Sequence, residues 1–184
     1  MLSLNLRSLA VVVALLVPTS GFAEDDMIHF SVSDPTRWNY FSDQVMGGVS
    51  EGRVTFETVD EAPVLRLTGR VSTANRGGFI QARMMLDAPL SNTSQGIVLT
   101  VRGNDQPYYV HLRTRWTILP WQLYQGEFDA SQTWQEVRIP FESFAPYGGL
   151  LSRSFRVSDV RSIAVVAFGR DHDADLSVRA IGVY

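Results

Sequence analysis

This 184-residue sequence predicts an all-β sandwich or barrel, on three observations. Short β-compatible segments recur between clusters of turn-forming residues, several of them alternate apolar and polar positions with a period of two, and no window of useful length carries an apolar helical period.

The order of elements follows from local chemistry. In residues 1–23 Arg7 is the one charged side chain, residues 9–17 are apolar, and Gly21-Phe22-Ala23 puts small residues at both cleavage-determining positions, the pattern of a secretory signal. That apolar run is shorter than the ~20 residues needed to cross a bilayer. Cleavage before Glu24 is therefore expected, leaving no stable membrane anchor and a periplasmic or secreted location. Residues 24–184 suffice for one domain, with roughly 70% of its unfolded surface buried. Candidate strands are 27–32, 52–58, 64–71, 78–85, 96–102, 108–115, 119–129, 135–140, 162–170 and 175–183. Their separators are rich in Gly, Pro, Asn, Asp and Ser, as turns require. In 96–102, Ile97, Leu99 and Val101 oppose Val98, Thr100 and Arg102; in 108–115, Val110 and Leu112 oppose Tyr109, His111 and Arg113. Residues 163–168 are apolar on both parities, so a central strand covered on both sides is expected there. The longest irregular stretch runs from 140 to 162, and Pro140 and Pro146 keep it out of a central strand. No repeat, low-complexity tract or linker divides the chain, and a monomer is expected.

Composition excludes several functions. With no cysteine there are no disulfides, thiolate metal sites or thiol nucleophiles. The formal charge is −3, one unit more negative without Arg7, and no basic run offers the footprint that nucleic acid requires.

The densest block is Trp38-Asn39-Tyr40-Phe41-Ser42-Asp43-Gln44-Val45-Met46-Gly47-Gly48-Val49-Ser50-Glu51-Gly52, where Gly47-Gly48 marks a tight bend before a strand. Further blocks are Asn75-Arg76-Gly77-Gly78-Phe79, Val101-Arg102-Gly103-Asn104-Asp105, residues 108–114, Trp121-Gln122-Leu123-Tyr124 and residues 134–144. In content and order they resemble the complex I intermediate-associated protein 30 family over roughly residues 28–184. The resemblance implies a jelly-roll β-sandwich of the galactose-binding-like type and, because eukaryotic members assist respiratory complex I assembly inside mitochondria, a protein partner. The export signal departs from those members and points to the cell envelope as the place of action.

The chemistry of the sequence points to binding. Gly48-Val49-Ser50-Glu51-Gly52 has the spacing of a nucleophile elbow, yet a strand-like run and not a helix follows it. Glu127, Asp129, Glu136 and Glu142 could form a glycosidase pair only at a separation that sequence does not supply. Asp171, Asp173 and Asp175 alternate as hard-cation ligands would, but without the glycine and final glutamate of an EF-hand loop, and an acidic turn accounts for them. No catalytic residue, metal or cofactor is assigned. Gln81, Arg83, Arg102, Tyr109, His111, Arg113, Trp116, Trp121 and Tyr124 supply rings and directed donors that form a ligand-binding groove if they share one sheet face. Asp43, Gln44, Asn75 and Arg76 sit in glycine-flanked loops that would close one end of it, or Asp43 and Arg76 pair to pin two loops. Two functions follow: a non-catalytic binding or assembly module of the cell envelope with a protein partner, or a carbohydrate-binding module or small carbohydrate-active hydrolase using Asp43, His111 or Glu136.

Overall fold

The computed structural model describes residues 27–184, so the signal read in residues 1–23 lies outside the described residues. Among the described residues twelve strands form two antiparallel sheets. The first has the order β3 (Glu51–Val59), β4 (Ala62–Val71), β12 (His172–Val183), β6 (Gly96–Arg102), β9 (Gln135–Pro140), with β1 (Ile28–Phe30) also paired to β12. The second has the order β10 (Ala145–Tyr147), β8 (Leu123–Ala130), β7 (Gln106–Thr114), β11 (Val160–Phe168), β5 (Phe79–Met85), β2 (Trp38–Ser42).

Period-two alternation supplies the core. Leu65 and Leu67 of β4 and Ile97, Leu99 and Val101 of β6 face Ile80, Ala82 and Met84 of β5, Tyr108, Val110 and Leu112 of β7 and Ile163, Val165 and Ala167 of β11. All are buried in one contiguous cluster, each worth roughly 1.5–3 kcal/mol for a full-sized aliphatic side chain. β12 keeps Ala174, Leu176 and Val178 inward, then slips register between Val178 and Ala180, so that Ile181 and Val183 continue the inward set. That bulge is why parity along β12 breaks in the sequence. The fully buried Tyr108 hydroxyl donates to Asn104 Oδ1 (2.6 Å) and accepts from the Asp175 N–H (2.9 Å); burial pushes its pKa up to about 12.

Three features differ from the sequence expectation. Trp38–Ser42 is a strand, the edge of the second sheet, which is absent from the candidate strands. The strand expected over 119–129 begins only at Leu123; residues 115–122 form the β7–β8 loop, and Ala145–Tyr147 adds a three-residue edge strand beside β8. As expected, β11 is central and covered on both sides, with Ala164 and Val166 buried on the outer parity.

Candidate functional site

Antiparallel register lines up one row across the outer face of the second sheet. Asn39 pairs with Arg83, Arg83 with Ala164, Ala164 with His111, His111 with Gln125, and Gln125 with Ala145. The next row carries Phe41, Gln81, Val166, Tyr109 and Glu127. Rings roof this surface. Phe168 lies edge-on to His111 (5.2 Å between centroids), to Tyr109 (5.8 Å) and to Tyr147 (5.4 Å). Tyr147 stands on β10, three strand spacings from β11, or about 14 Å in a flat sheet. Contact between those rings requires the sheet to curl inward, so the face is concave.

Three groups in the Arg83 row have hydrogen-bonding capacity that the described residues leave unused. His111 is 5% exposed and its Nε2 has no partner, and the neighbouring Gln125 Oε1 is likewise buried and unpaired. Burial alone pulls the imidazole pKa down to about 3, so the ring is neutral throughout the physiological range. Arg83 makes no hydrogen bond or ion pair among the described residues; its guanidinium lies over the Phe41 ring at 4.0 Å. Burial, and then the charge of Arg113, hold its pKa below the usual arginine value. Arg113 donates to the carbonyls of Thr117 (2.8 Å), Leu119 (3.1 Å) and Pro120 (3.4 Å). Among the described residues neither positive charge forms an ion pair with a carboxylate, an arrangement that costs free energy when the groups are partly desolvated.

The ring and donor residues named from sequence fall into four places. Gln81, Arg83, Tyr109, His111 and Arg113 do share the concave face, as strand parity requires. Trp116 and Trp121 stand on the β7–β8 loop, and Arg102 is on the opposite sheet, stacked on Trp134 at 4.9 Å. Tyr124 points inward, because β8 places Tyr124 and Phe128 on the core parity; its ring packs on Phe155 and its hydroxyl donates to the Ser152 carbonyl. Phe41, Gln125, Tyr147 and Phe168 belong to the face and escaped sequence reasoning. Only the cross-strand register, set by loop lengths, joins them to His111.

Asp43 is a structural pin. It is 0% exposed, and its carboxylate accepts from the Ser50 N–H (2.9 Å), the Ser50 hydroxyl, the Gly78 N–H and the Phe79 N–H (3.3 Å). A Cβ on Gly48 or Gly77 would fall inside the carboxyl group itself, which explains both glycines. Asp43 therefore ties the loop after β2 to the loop before β5 without Arg76. Gln44 donates to the Ser50 carbonyl (3.0 Å), while Asn75 and Arg76 are exposed with φ of 56° and 62°. The same pin buries Ser50, and a strand follows it, so it lacks the exposure and context of a nucleophile elbow. In the acidic turn, Asp171 accepts from the Thr73 N–H and hydroxyl, and Asp175 forms a two-point pair with Arg66 (2.8 and 2.7 Å).

Comparison with known proteins agrees with this architecture. The family model described as complex I intermediate-associated protein 30 matches residues 28–178. Among solved structures, the chain is similar to the family 11 carbohydrate-binding module of Clostridium thermocellum in complex with a β-1,3-1,4-mixed-linked tetrasaccharide. The TM-score is 0.69 at 11% identity, over 85% of this chain and 94% of that one. A family 30 carbohydrate-binding module gives 0.55 at 14% identity, over 74% and 91%. An exo-β-agarase gives 0.54 at 8% identity, over 86% of this chain but 25% of the agarase. At such identities the likeness shows a two-sheet jelly-roll sandwich and nothing of the ligand. No curated protein sequence matches the chain.

Proposed function

The chain belongs to the complex I intermediate-associated protein 30 family, and from that premise we propose that it is a non-catalytic binding module holding a hydroxyl-rich glycan on the concave face of its second sheet. The observation that carries this reading is the Arg83, His111, Gln125 row, where unused donors and acceptors stand in register. A carbohydrate hydroxyl both donates and accepts. It satisfies a guanidinium, a neutral imidazole and an amide oxygen together, whereas a purely accepting anion leaves Gln125 Oε1 unpaired. The rings of Tyr109, Tyr147 and Phe41 supply the flat apolar surface on which sugar rings pack. Phe168 and Tyr109 lie against His111, and Tyr147, half-exposed on a three-residue edge strand, packs on Phe168, so the ligand reaches the row when the Phe168 and Tyr147 rings shift.

Likeness to carbohydrate-binding modules supports the glycan, and the family's own description supports a protein partner at the same face, which is the second reading. Export to the cell envelope belongs to the proposal, resting on the character of residues 1–23.

Titration calorimetry against a panel of soluble glycan oligosaccharides, β-1,3-1,4-mixed-linked glucan among them, tests the reading. Arg83→Ala should weaken binding at least about tenfold, since a hydrogen bond to a charged group is worth roughly 1.5–3 kcal/mol. Absence of binding across the panel, with capture of an envelope protein that Arg83→Ala abolishes, would transfer the face to the second reading. Unchanged affinity in Arg83→Ala would remove the face from both.

A further inference from the structure

Beyond the concave face, one end of the sandwich presents large apolar side chains to solvent. Trp116, Ile118 and Trp121 on the β7–β8 loop are 62%, 82% and 49% exposed, and Leu150, just beyond β10, is 98% exposed. The two loops form one surface. The buried Gln122 Nε2 donates to the Gly149 carbonyl (3.1 Å), the Tyr124 hydroxyl donates to Ser152 (3.0 Å), and Gly148 lies so close to Trp121 that a Cβ would strike its backbone and indole.

These side chains are held outward. Arg113 clamps the carbonyls of Thr117, Leu119 and Pro120, the Thr117 hydroxyl donates to Thr114, and the Trp116 indole N–H donates to the buried Asp159 (2.9 Å). Gly148, Gly149 and Leu150 follow one another at φ of 95°, 70° and 59°. Leucine has no steric ease in that region, so the backbone is strained to present a side chain that touches almost nothing.

Charge identifies what fits there. Residues 115–122 and 147–156 contain Arg115, Arg153 and Arg156 and no acidic residue, in a chain of net charge −3 whose basic side chains are all arginine. Arg115 pairs with Asp159 (2.9 Å), while Arg153 and Arg156 are exposed and their side chains make no ion pair or hydrogen bond among the described residues. Apolar tips beside free guanidinium groups match a bilayer surface with anionic headgroups: leucine and isoleucine enter the acyl boundary, indoles sit at the interface, and arginine forks hold phosphate oxygens. A flat protein partner would instead need a continuous complementary area of roughly 800 Å². We infer that the end formed by the β7–β8 loop and residues 147–156 docks reversibly on an anionic phospholipid membrane.

Both sheets and the core cluster are built from the described residues 27–184, so the chain beginning at Glu24 serves for the test. It should co-sediment with vesicles of mixed phosphatidylcholine and phosphatidylglycerol and not with phosphatidylcholine alone. Brominated acyl chains should quench its tryptophan fluorescence on binding. Ile118→Asp combined with Leu150→Asp should weaken binding at least about tenfold, and Arg153→Ala or Arg156→Ala by about fivefold each. Leu150→Gly suits the local backbone, so it should bind vesicles less well while melting no lower than the parent. Failure to bind the mixed vesicles, or binding by the double aspartate variant at parental affinity, overturns the inference. So does self-association that this variant abolishes without vesicle binding, which would assign the surface to a second copy.

Discussion

Replacing Asp43 with asparagine is expected to lower unfolding stability by about 3–5 kcal/mol, the cost of leaving partners of a buried charge-assisted network unpaired. The carboxylate takes four protein donors from Ser50, Gly78 and Phe79 while fully enclosed. Asparagine keeps one acceptor oxygen, which can serve the Ser50 hydroxyl, Gly78 and Phe79, but its NH2 group then faces the Ser50 N–H, so at least one hydrogen bond becomes a donor-against-donor contact and the charge that strengthens the rest is lost. An ordinary domain has about 5–15 kcal/mol in all, so a large part of the fold's margin rests on this residue. Gly77→Ala should act in the same direction, because its Cβ displaces the same carboxyl group. Burial opposes ionisation of Asp43, but the bonds from Ser50, Gly78 and Phe79 outweigh it and hold the pKa below the usual carboxylate value. The stability Asp43 contributes is thus present above the ordinary carboxylate range and is lost as pH falls through the lowered folded value. Urea titration of Asp43→Asn at neutral pH measures the effect; a change under about 1 kcal/mol would mean the carboxylate does not pin the loops.

That pin also shows which parts of the molecule were legible in the sequence. The Asp43, Gly48, Ser50, Gly77 and Gly78 set stood out as two glycine-flanked blocks, yet residue type alone could not separate a groove wall from a knot between loops. Burial and the lack of space for a Cβ decide it. Alternation fixed the faces of β6 and β7 because each runs without a bulge, and so it placed Tyr109, His111 and Arg113 together. It did not place Gln125 beside His111, since that register depends on how many residues the β7–β8 loop absorbs before β8 begins at Leu123. Nor did it separate Tyr124 from the exposed tryptophans. Composition groups aromatics, whereas strand parity sends Tyr124 inward and the loop carries Trp116 and Trp121 out. The edge strand Ala145–Tyr147 exists only through its pairing with β8, which no local pattern announces.

Stability is also expected to fall by about 2 kcal/mol between pH 7 and pH 5, with His111 as the principal cause. The unfolded chain takes up an imidazole proton near pH 6.5, while the folded chain, with His111 buried and its pKa depressed to about 3, does not. Across that interval the unfolded state binds more protons, so stability rises with pH at up to about 1.4 kcal/mol per unit. The contribution is complete above the unfolded value and is lost progressively as pH falls toward the folded one. His172 shifts in the same direction, chiefly through burial, and adds a smaller slope. The carboxyl groups of Asp43, Asp171 and Asp175 are all held below the ordinary value, so their losses come at lower pH. Chemical denaturation of the parent, His111→Gln and His172→Gln at several pH values separates these terms: His111→Gln should remove most of the slope, and His172→Gln only a minor part. A parent profile flat from pH 7 to 5, or a slope that survives His111→Gln, would show that the imidazole is solvated in the folded protein. His111 would then not be the dry, neutral member of the Arg83 row on which the proposed glycan contact depends.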